Sequence, residues 1–432
     1  MNVESEEFAT EPVPAEHQVG WVRVGLISAM VAFSLPTFVT GAEVYLAIDN
    51  TRAALSVLIG CGMLTLIASI CGAIGSRTHL SSYMLARVAF GTRGAALVNV
   101  AFAISLLGWF GVNIDLFGGA LLRLLQDTVG ITAPVWVVEL FAGVVMTITT
   151  IYGFKAINTL SLLLVPVMMV VTAVLVTKAL GIRSFDDTFA AAQLSQISFG
   201  RAISSVVGGV IIGAVIMPDI TRFIRHWRGA VYTALLSYGL VQGIVMTSGG
   251  LASDVLANDD FLDVMIVMGI SWGAFVIVIA GSWVLNSLNL YSTSLSIEAT
   301  FPKTENKLLI VALGALGTIA AFMNILDYFL TFLFYLAIVF VPVAGVIAVD
   351  HFFARPSAYF ENLKVAERLV SPMALIAWAA GSIVALLGAE AVITLTGIAA
   401  LDAMLVSALS YAILSRFDQS PGAARTGGTP TC

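Results

Sequence analysis

Apolar residues along this chain fall into long runs rather than alternating or recurring every third or fourth position. A helix rising 1.5 Å per residue needs roughly 20 apolar residues to cross a ~30 Å hydrocarbon core. Twelve runs meet that length, near 21–46, 54–75, 95–125, 134–153, 157–180, 199–221, 229–255, 266–292, 307–325, 327–349, 371–389 and 391–415. The third is long enough to tilt. The gaps at 180–200 and 325–327 are the least distinct. The pattern predicts an all-α polytopic membrane protein with 12 transmembrane helices. Residues 1–20 are polar and acidic, and 416–432 is a Gly- and Thr-rich stretch expected to be a disordered tail.

Composition agrees. The chain is 59% hydrophobic and 11% charged, against about 25% charge in soluble domains. Lys and Arg decide orientation. With the N-terminus inside, 15 of them fall on one side and five (Arg52, Arg123, Lys178, Arg183, Arg201) on the other. Both termini are therefore expected in the cytoplasm, across the inner (cytoplasmic) membrane. Asp327 and Asp350, near span ends, are expected at the interface. No short apolar core follows a basic start, so the first span is expected to be retained. Cys61, Cys71 and Cys432 suggest neither a disulfide framework nor a metal site. No phosphate-binding glycine loop or catalytic triad is evident, which argues against an enzyme. The partners expected are the lipid bilayer and a small solute, with no nucleic acid, organic cofactor or obligate protein partner.

Internal symmetry narrows the reading. Five spans make an odd number of crossings, so spans 6–10 (199–349) run opposite to spans 1–5 (21–180), with 371–415 outside the repeat. Matching interruptions in two inverted halves point to a mid-membrane site. Span 1 is interrupted at Phe33-Ser34-Leu35-Pro36-Thr37. Span 6 carries Gly208, Gly209 and Gly213 before Pro218-Asp219-Ile220-Thr221-Arg222-Phe223. Glycine destabilises a helix by roughly 0.5–1 kcal/mol relative to alanine, so its use here implies close backbone approach, by a neighbouring helix or by a ligand. The Pro-Asp-Ile-Thr-Arg half is expected to end the helix at the cytoplasmic face.

Candidate site residues follow from polar chemistry inside apolar spans. Trp109, flanked by Gly108 and Gly111, leaves an indole face open to a flat ring, and Asn113 shares its helix face four residues on. Asn286 and Asn289 lie three apart in span 8. These amides would read the edge of a heterocycle or, equally, tie helices together. Glu43 and Asp115 are intramembrane acids that suit proton carriage or recognition of a cationic amine. Phe33, at the span 1 break, and Ser282 complete the candidate cation-coupling set. Ser76 to Gly91 reads as a short amphipathic helix at the membrane surface.

Four stretches carry a resemblance. They are Leu85-Ala86-Arg87-Val88-Ala89-Phe90-Gly91, Gly108-Trp109-Phe110-Gly111, Pro218 to Phe223, and Asp263-Val264-Met265-Ile266. In this order the chain resembles the nucleobase–cation symporter-1 family, cytosine permease branch. The resemblance implies a leucine-transporter-type fold, a 5+5 inverted repeat with broken helices 1 and 6. It implies cation-coupled import of a nucleobase-like heterocycle by alternating access. Trp109 matches the stacking tryptophan, Asn113 a substrate-binding glutamine of hydantoin-transporting relatives, and Asn286 a span 8 asparagine near the substrate. Gly209, Val210, Ile212 and Gly213 match the span 6 break. Leu106 stands where cytosine permeases have glutamine, and Val210 where they have an aromatic. Val284 and Leu285 replace two threonines that bind Na⁺, and neither side chain offers the oxygen a hard cation requires. H⁺ is thereby favoured over Na⁺, although a one-residue shift would bring Ser282 or Ser287 into register. A transporter of a cationic amine and an uncoupled facilitator or channel are the alternatives.

Overall fold

A computed structural model describes residues 8, 11–190, 195–301, 306–323, 329–360, 369–389 and 393–417. Asp327, the gap at 325–327, most of the C-terminal tail, and Lys303, Lys364, Arg368 and Arg425 of the charge tally lie outside the described residues. Among the described residues the secondary structure is helical, with one isolated parallel bridge between Val19 and Ile224.

The first span is two helices, α1 (Trp21–Ala32) and α2 (Leu35–Ala47), bent by 53° at Phe33-Ser34. Pro36 sits in the first turn of α2, where its missing N–H leaves no helical bond unmade. Next come α3 (Asn50–Thr78), α4 (Ser82–Phe90), α5 (Thr92–Val129), α6 (Val135–Ile151) and α7 (Gly153–Ile182). After a short α8 (Phe185–Ala190), the sixth span is broken into α9 (Phe199–Gly208), α10 (Ile211–Val215) and α11 (Pro218–Thr221). Then follow α12 (Trp227–Leu256), α13 (Phe261–Val267), α14 (Ser271–Thr300), α15 (Asn306–Ala321), α16 (Phe329–Val349), α17 (Pro372–Ala389) and α18 (Ala399–Leu414). Among the described residues six single helices are long and apolar enough to span a bilayer, the bent α1–α2 pair makes a seventh if taken as one span, and four shorter apolar helices accompany them.

Lipid gives helices no hydrophobic reason to associate, so small residues set the packing. Gly41 lies against the Met246 carbonyl and Gly249 against that of Phe38, where any Cβ would collide, and this locks α2 onto α12. An added Cβ at Gly281 would stand 2.6 Å from the Phe33 carbonyl, so α14 passes directly beside the break in the first span.

Three expectations change. The apolar run at 266–292 joins the end of α13 to the start of α14 across Gly269, whose φ of +71° breaks the helix without any polar residue. Helix α4 does not lie on a surface: every residue of it except Arg87 is buried. Asp350 is not interfacial but fully buried, accepting hydrogen bonds from Tyr359 Oη and Tyr411 Oη (both 2.7 Å) and from Arg355 Nε and Nη2 (both 2.9 Å).

Candidate functional site

The two interrupted spans meet at one cavity. It encloses about 870 Å³, including the part open to solvent. Its walls come from both halves of the first span (Ser28, Ser34, Thr37), from α5 (Leu106, Trp109), the α9–α10 break (Gly209, Val210, Ile212, Gly213) and α11 (Asp219). Helices α12 (Tyr238, Gln242) and α14 (Leu285, Asn289, Ser292) close it. A mostly apolar chamber with a few polar groups suits a small, flat, nitrogen-containing solute.

Glycine makes the break possible. An added Cβ at Gly213 would stand 2.6 Å from Tyr238 Oη, and one at Gly209 would stand 3.3 Å from Thr40 Oγ1. Backbone therefore approaches neighbouring polar atoms where a side chain would separate them. The α11 end is not a solvated stop. Asp219 is 1% exposed and Arg222 is fully buried. Asp219 Oδ1 accepts the Ser82 N–H at 2.9 Å, joining α11 to the start of α4. Arg222 donates to the Asp219 carbonyl (3.2 Å), the Phe8 carbonyl (2.7 Å) and Tyr291 Oη (3.1 Å). The N-terminal segment crosses this end as well. Val13 N donates to the His79 carbonyl (3.1 Å) and Val19 N to that of Phe223 (2.7 Å). This network seals the Arg222 end of the molecule beneath the cavity.

The structure sorts the residues singled out from sequence. Trp109, Gly209, Val210, Ile212, Gly213 and Asn289 line the cavity. Asn113 and Asn286 are fully buried and are not among the lining residues. Asn113 Nδ2 donates to the Trp109 carbonyl one turn back, at 2.8 Å. Asn286 Nδ2 donates to the Phe110 carbonyl at 3.0 Å, and its Oδ1 accepts from Asn289 Nδ2 at 3.4 Å. Asn286 thus ties α14 to α5 and orients Asn289. A net contribution of about 1 kcal/mol per bond is typical inside a membrane bundle. Glu43 and Asp115 do not line the cavity; Asp115 lies toward Glu139 of α6. Phe33 meets α14 at Gly281, and the next residue, Ser282, is fully buried with its Oγ lacking a hydrogen-bond partner among the described residues. Sequence reading passed over Asp219 and Thr37 as lining residues, and Gln242 and Tyr238 altogether.

Comparison with known proteins places this geometry. Residues 12–414 match the model of a family described as permeases for cytosine/purines, uracil, thiamine and allantoin. The chain is 29% identical over 409 residues to the cytosine permease of Escherichia coli strain K12, covering 94% of each chain. It is 23% identical to the hydantoin permease of Microbacterium maritypicum over 79% of this chain and 74% of the relative. Among solved structures, it is similar to the nucleobase-cation-symport-1 family transporter Mhp1 in a closed conformation with bromovinylhydantoin bound. The TM-score is 0.81 at 19% identity, over 94% of each chain. A Na⁺-coupled sialic acid symporter in an outward-open state superposes with a TM-score of 0.67 at 13% identity, over 92% of this chain and 90% of that one. These likenesses show the leucine-transporter-type fold with its broken first and sixth spans. The chain belongs to the family of membrane permeases for cytosine/purines, uracil, thiamine and allantoin.

Proposed function

We propose that this permease imports a nucleobase-like or related flat nitrogenous heterocycle across the cytoplasmic membrane by cation-coupled alternating access. The observation that carries the proposal is the cavity at the meeting of the two broken spans, lined by Trp109 together with the amide and hydroxyl residues Gln242, Asn289, Ser34 and Thr37. The ring stacks on Trp109, and Asn289, held by Asn286, hydrogen-bonds its edge. Asn113 acts behind Trp109, fixing the turn that presents it. The Arg222 end faces the cytoplasm, consistent with the basic loops on that side, and its network is the gate that opens for release.

The coupling ion proposed is H⁺. The side chains of Val284 and Leu285 offer no oxygen, and among the described residues Asp219 is the carboxylate that lines the cavity. A second reading, Na⁺, is favoured by one observation: the unpartnered Ser282 hydroxyl, one residue from the Gly281–Phe33 carbonyl contact. Proteoliposome uptake separates them. With pH gradient and membrane potential clamped, a proton symporter accumulates labelled uracil or cytosine above the outside concentration without Na⁺. Loss of accumulation on Na⁺ removal supports the second reading, and equilibration without accumulation under any gradient supports an uncoupled facilitator.

A further inference from the structure

One wall of the cavity is built by α12, and no motif marks it. Helix α12 contains a π-helical segment at Leu235–Val241. Such an inserted turn shifts every following side chain around the axis, and π-turns inside α-helices are frequent at functional sites. The first residue after it is Gln242, 1% exposed and lining the cavity. Its Nε2 reaches Thr37 Oγ1 at 3.5 Å, the outer limit of a hydrogen bond. Thr37 Oγ1 in turn lies 3.3 Å from Ser34 Oγ at the break of the first span. Gln242 Oε1 accepts no hydrogen bond among the described residues. A primary amide buried in a membrane-spanning helix with one long bond and an idle acceptor is poorly satisfied, and such groups face a pathway or a ligand.

We infer that Gln242 is the specificity-determining residue of this site, and that it selects heterocycles carrying a ring –C(=O)–NH– edge. The inference rests on the function proposed above and names the chemistry that this wall reads. A glutamine amide and a cis lactam are complementary: Nε2 donates to the ring carbonyl while Oε1 accepts the ring N–H. Binding exchanges the 3.5 Å contact to Thr37 for two short bonds. It also frees the Thr37 hydroxyl at the hinge of the first span, so edge recognition and movement of that hinge share one residue. Sites built to hydrogen-bond a polar edge strongly reject analogues lacking it, because their buried groups are left unpaired.

The test measures dissociation constants on purified, reconstituted protein with uracil, hydantoin and 1,3-dimethyluracil, the last retaining both carbonyls but no N–H. Wild type binds uracil or hydantoin at least about tenfold tighter than the dimethyl compound. Gln242→Ala weakens the N–H-bearing probes about tenfold and narrows that ratio. Gln242→Met, of similar length but with no amide to donate or accept, weakens them similarly. Gln242→Asn preserves the chemistry on a shorter stem and falls between. Thermal melting confirms folding of each variant, and the Met variant, close to glutamine in volume, decides if the Ala variant is lost. Trp109→Ala serves as the independent arm. If Trp109→Ala abolishes binding while the Gln242 variants keep wild-type ratios, the inference is overturned and the site stands. If Trp109→Ala binds normally, or wild type binds none of the probes, the underlying site reading fails with it.

Discussion

Adding one methyl group to the α9–α10 break at Gly213 tests whether close backbone approach there is required. In Gly213→Ala the new Cβ would stand 2.6 Å from Tyr238 Oη, about 0.8 Å short of the 3.4 Å at which ordinary contact begins. The hydroxyl sits on a rigid ring, so the strain cannot be relieved by rotating a flexible tip. Tyr238 is 6% exposed and packed against the core, and the open space beside it is the cavity, so a ring that swings away from the new methyl moves into the space the solute needs. Overpacking of this kind is destabilising by about 1–3 kcal/mol. The variant is therefore expected to melt lower in detergent and to transport at about one tenth of the wild-type rate or less, at equal membrane abundance. The atom in the way is the hydroxyl oxygen alone, since the next nearest, Tyr238 Cζ, is at 3.8 Å. Gly213→Ala combined with Tyr238→Phe should therefore recover most of the lost stability, a coupling readable as a double-mutant cycle. Wild-type behaviour of Gly213→Ala, or no recovery in the double variant, would refute the reasoning.

Other expectations follow from single contacts. Asp350→Asn removes the charge that holds Arg355, Tyr359 and Tyr411, and breaking such a buried pair is destabilising by about 3 kcal/mol or more; thermal unfolding in detergent measures it. Arg123→Ala, by contrast, removes ion pairs to Asp260 and Asp263 whose side chains are 34–41% exposed, and should shift stability by less than about 1 kcal/mol in the same assay. Arg222→Lys replaces a fork that reaches the Phe8 and Asp219 carbonyls and Tyr291 with a single ammonium. It should lower uptake about tenfold or more at unchanged membrane abundance. Asn286→Ala leaves Asn289 without its Oδ1 acceptor and should raise the KM for uptake more than it lowers kcat.

The spans were legible because hydrocarbon demands long apolar runs, and the two broken ones because Pro36 and the glycines at 208, 209 and 213 interrupt such runs. The failures have equally specific causes. Gly269 breaks the chain between two apolar segments, so the run at 266–292 carries no polar signal at the true boundary. Helix α4 shows Ser82, Tyr83 and Arg87 in sequence, but two of these are buried and Ser82 spends its N–H on Asp219, 137 residues away. Asp350 draws its partners from five, nine and 61 residues along the chain, and no local pattern announces that. The amides of span 3 and span 8 stood out by pairing at helical spacing, yet Asn113 and Asn286 bond to backbone carbonyls rather than facing the cavity. Gln242 is a lone amide in an apolar span; that polarity inside a span was the available signal, and the π-turn that aims it has no sequence signature.

The central claim is that a flat heterocycle stacks on Trp109 in the cavity between the broken spans. Equilibrium binding of uracil, cytosine and hydantoin to purified wild type and Trp109→Ala, each shown folded by its melting curve, tests it most directly. The account predicts saturable binding of at least one of these solutes to wild type and loss of that binding in Trp109→Ala. Binding of equal affinity to both proteins would contradict it.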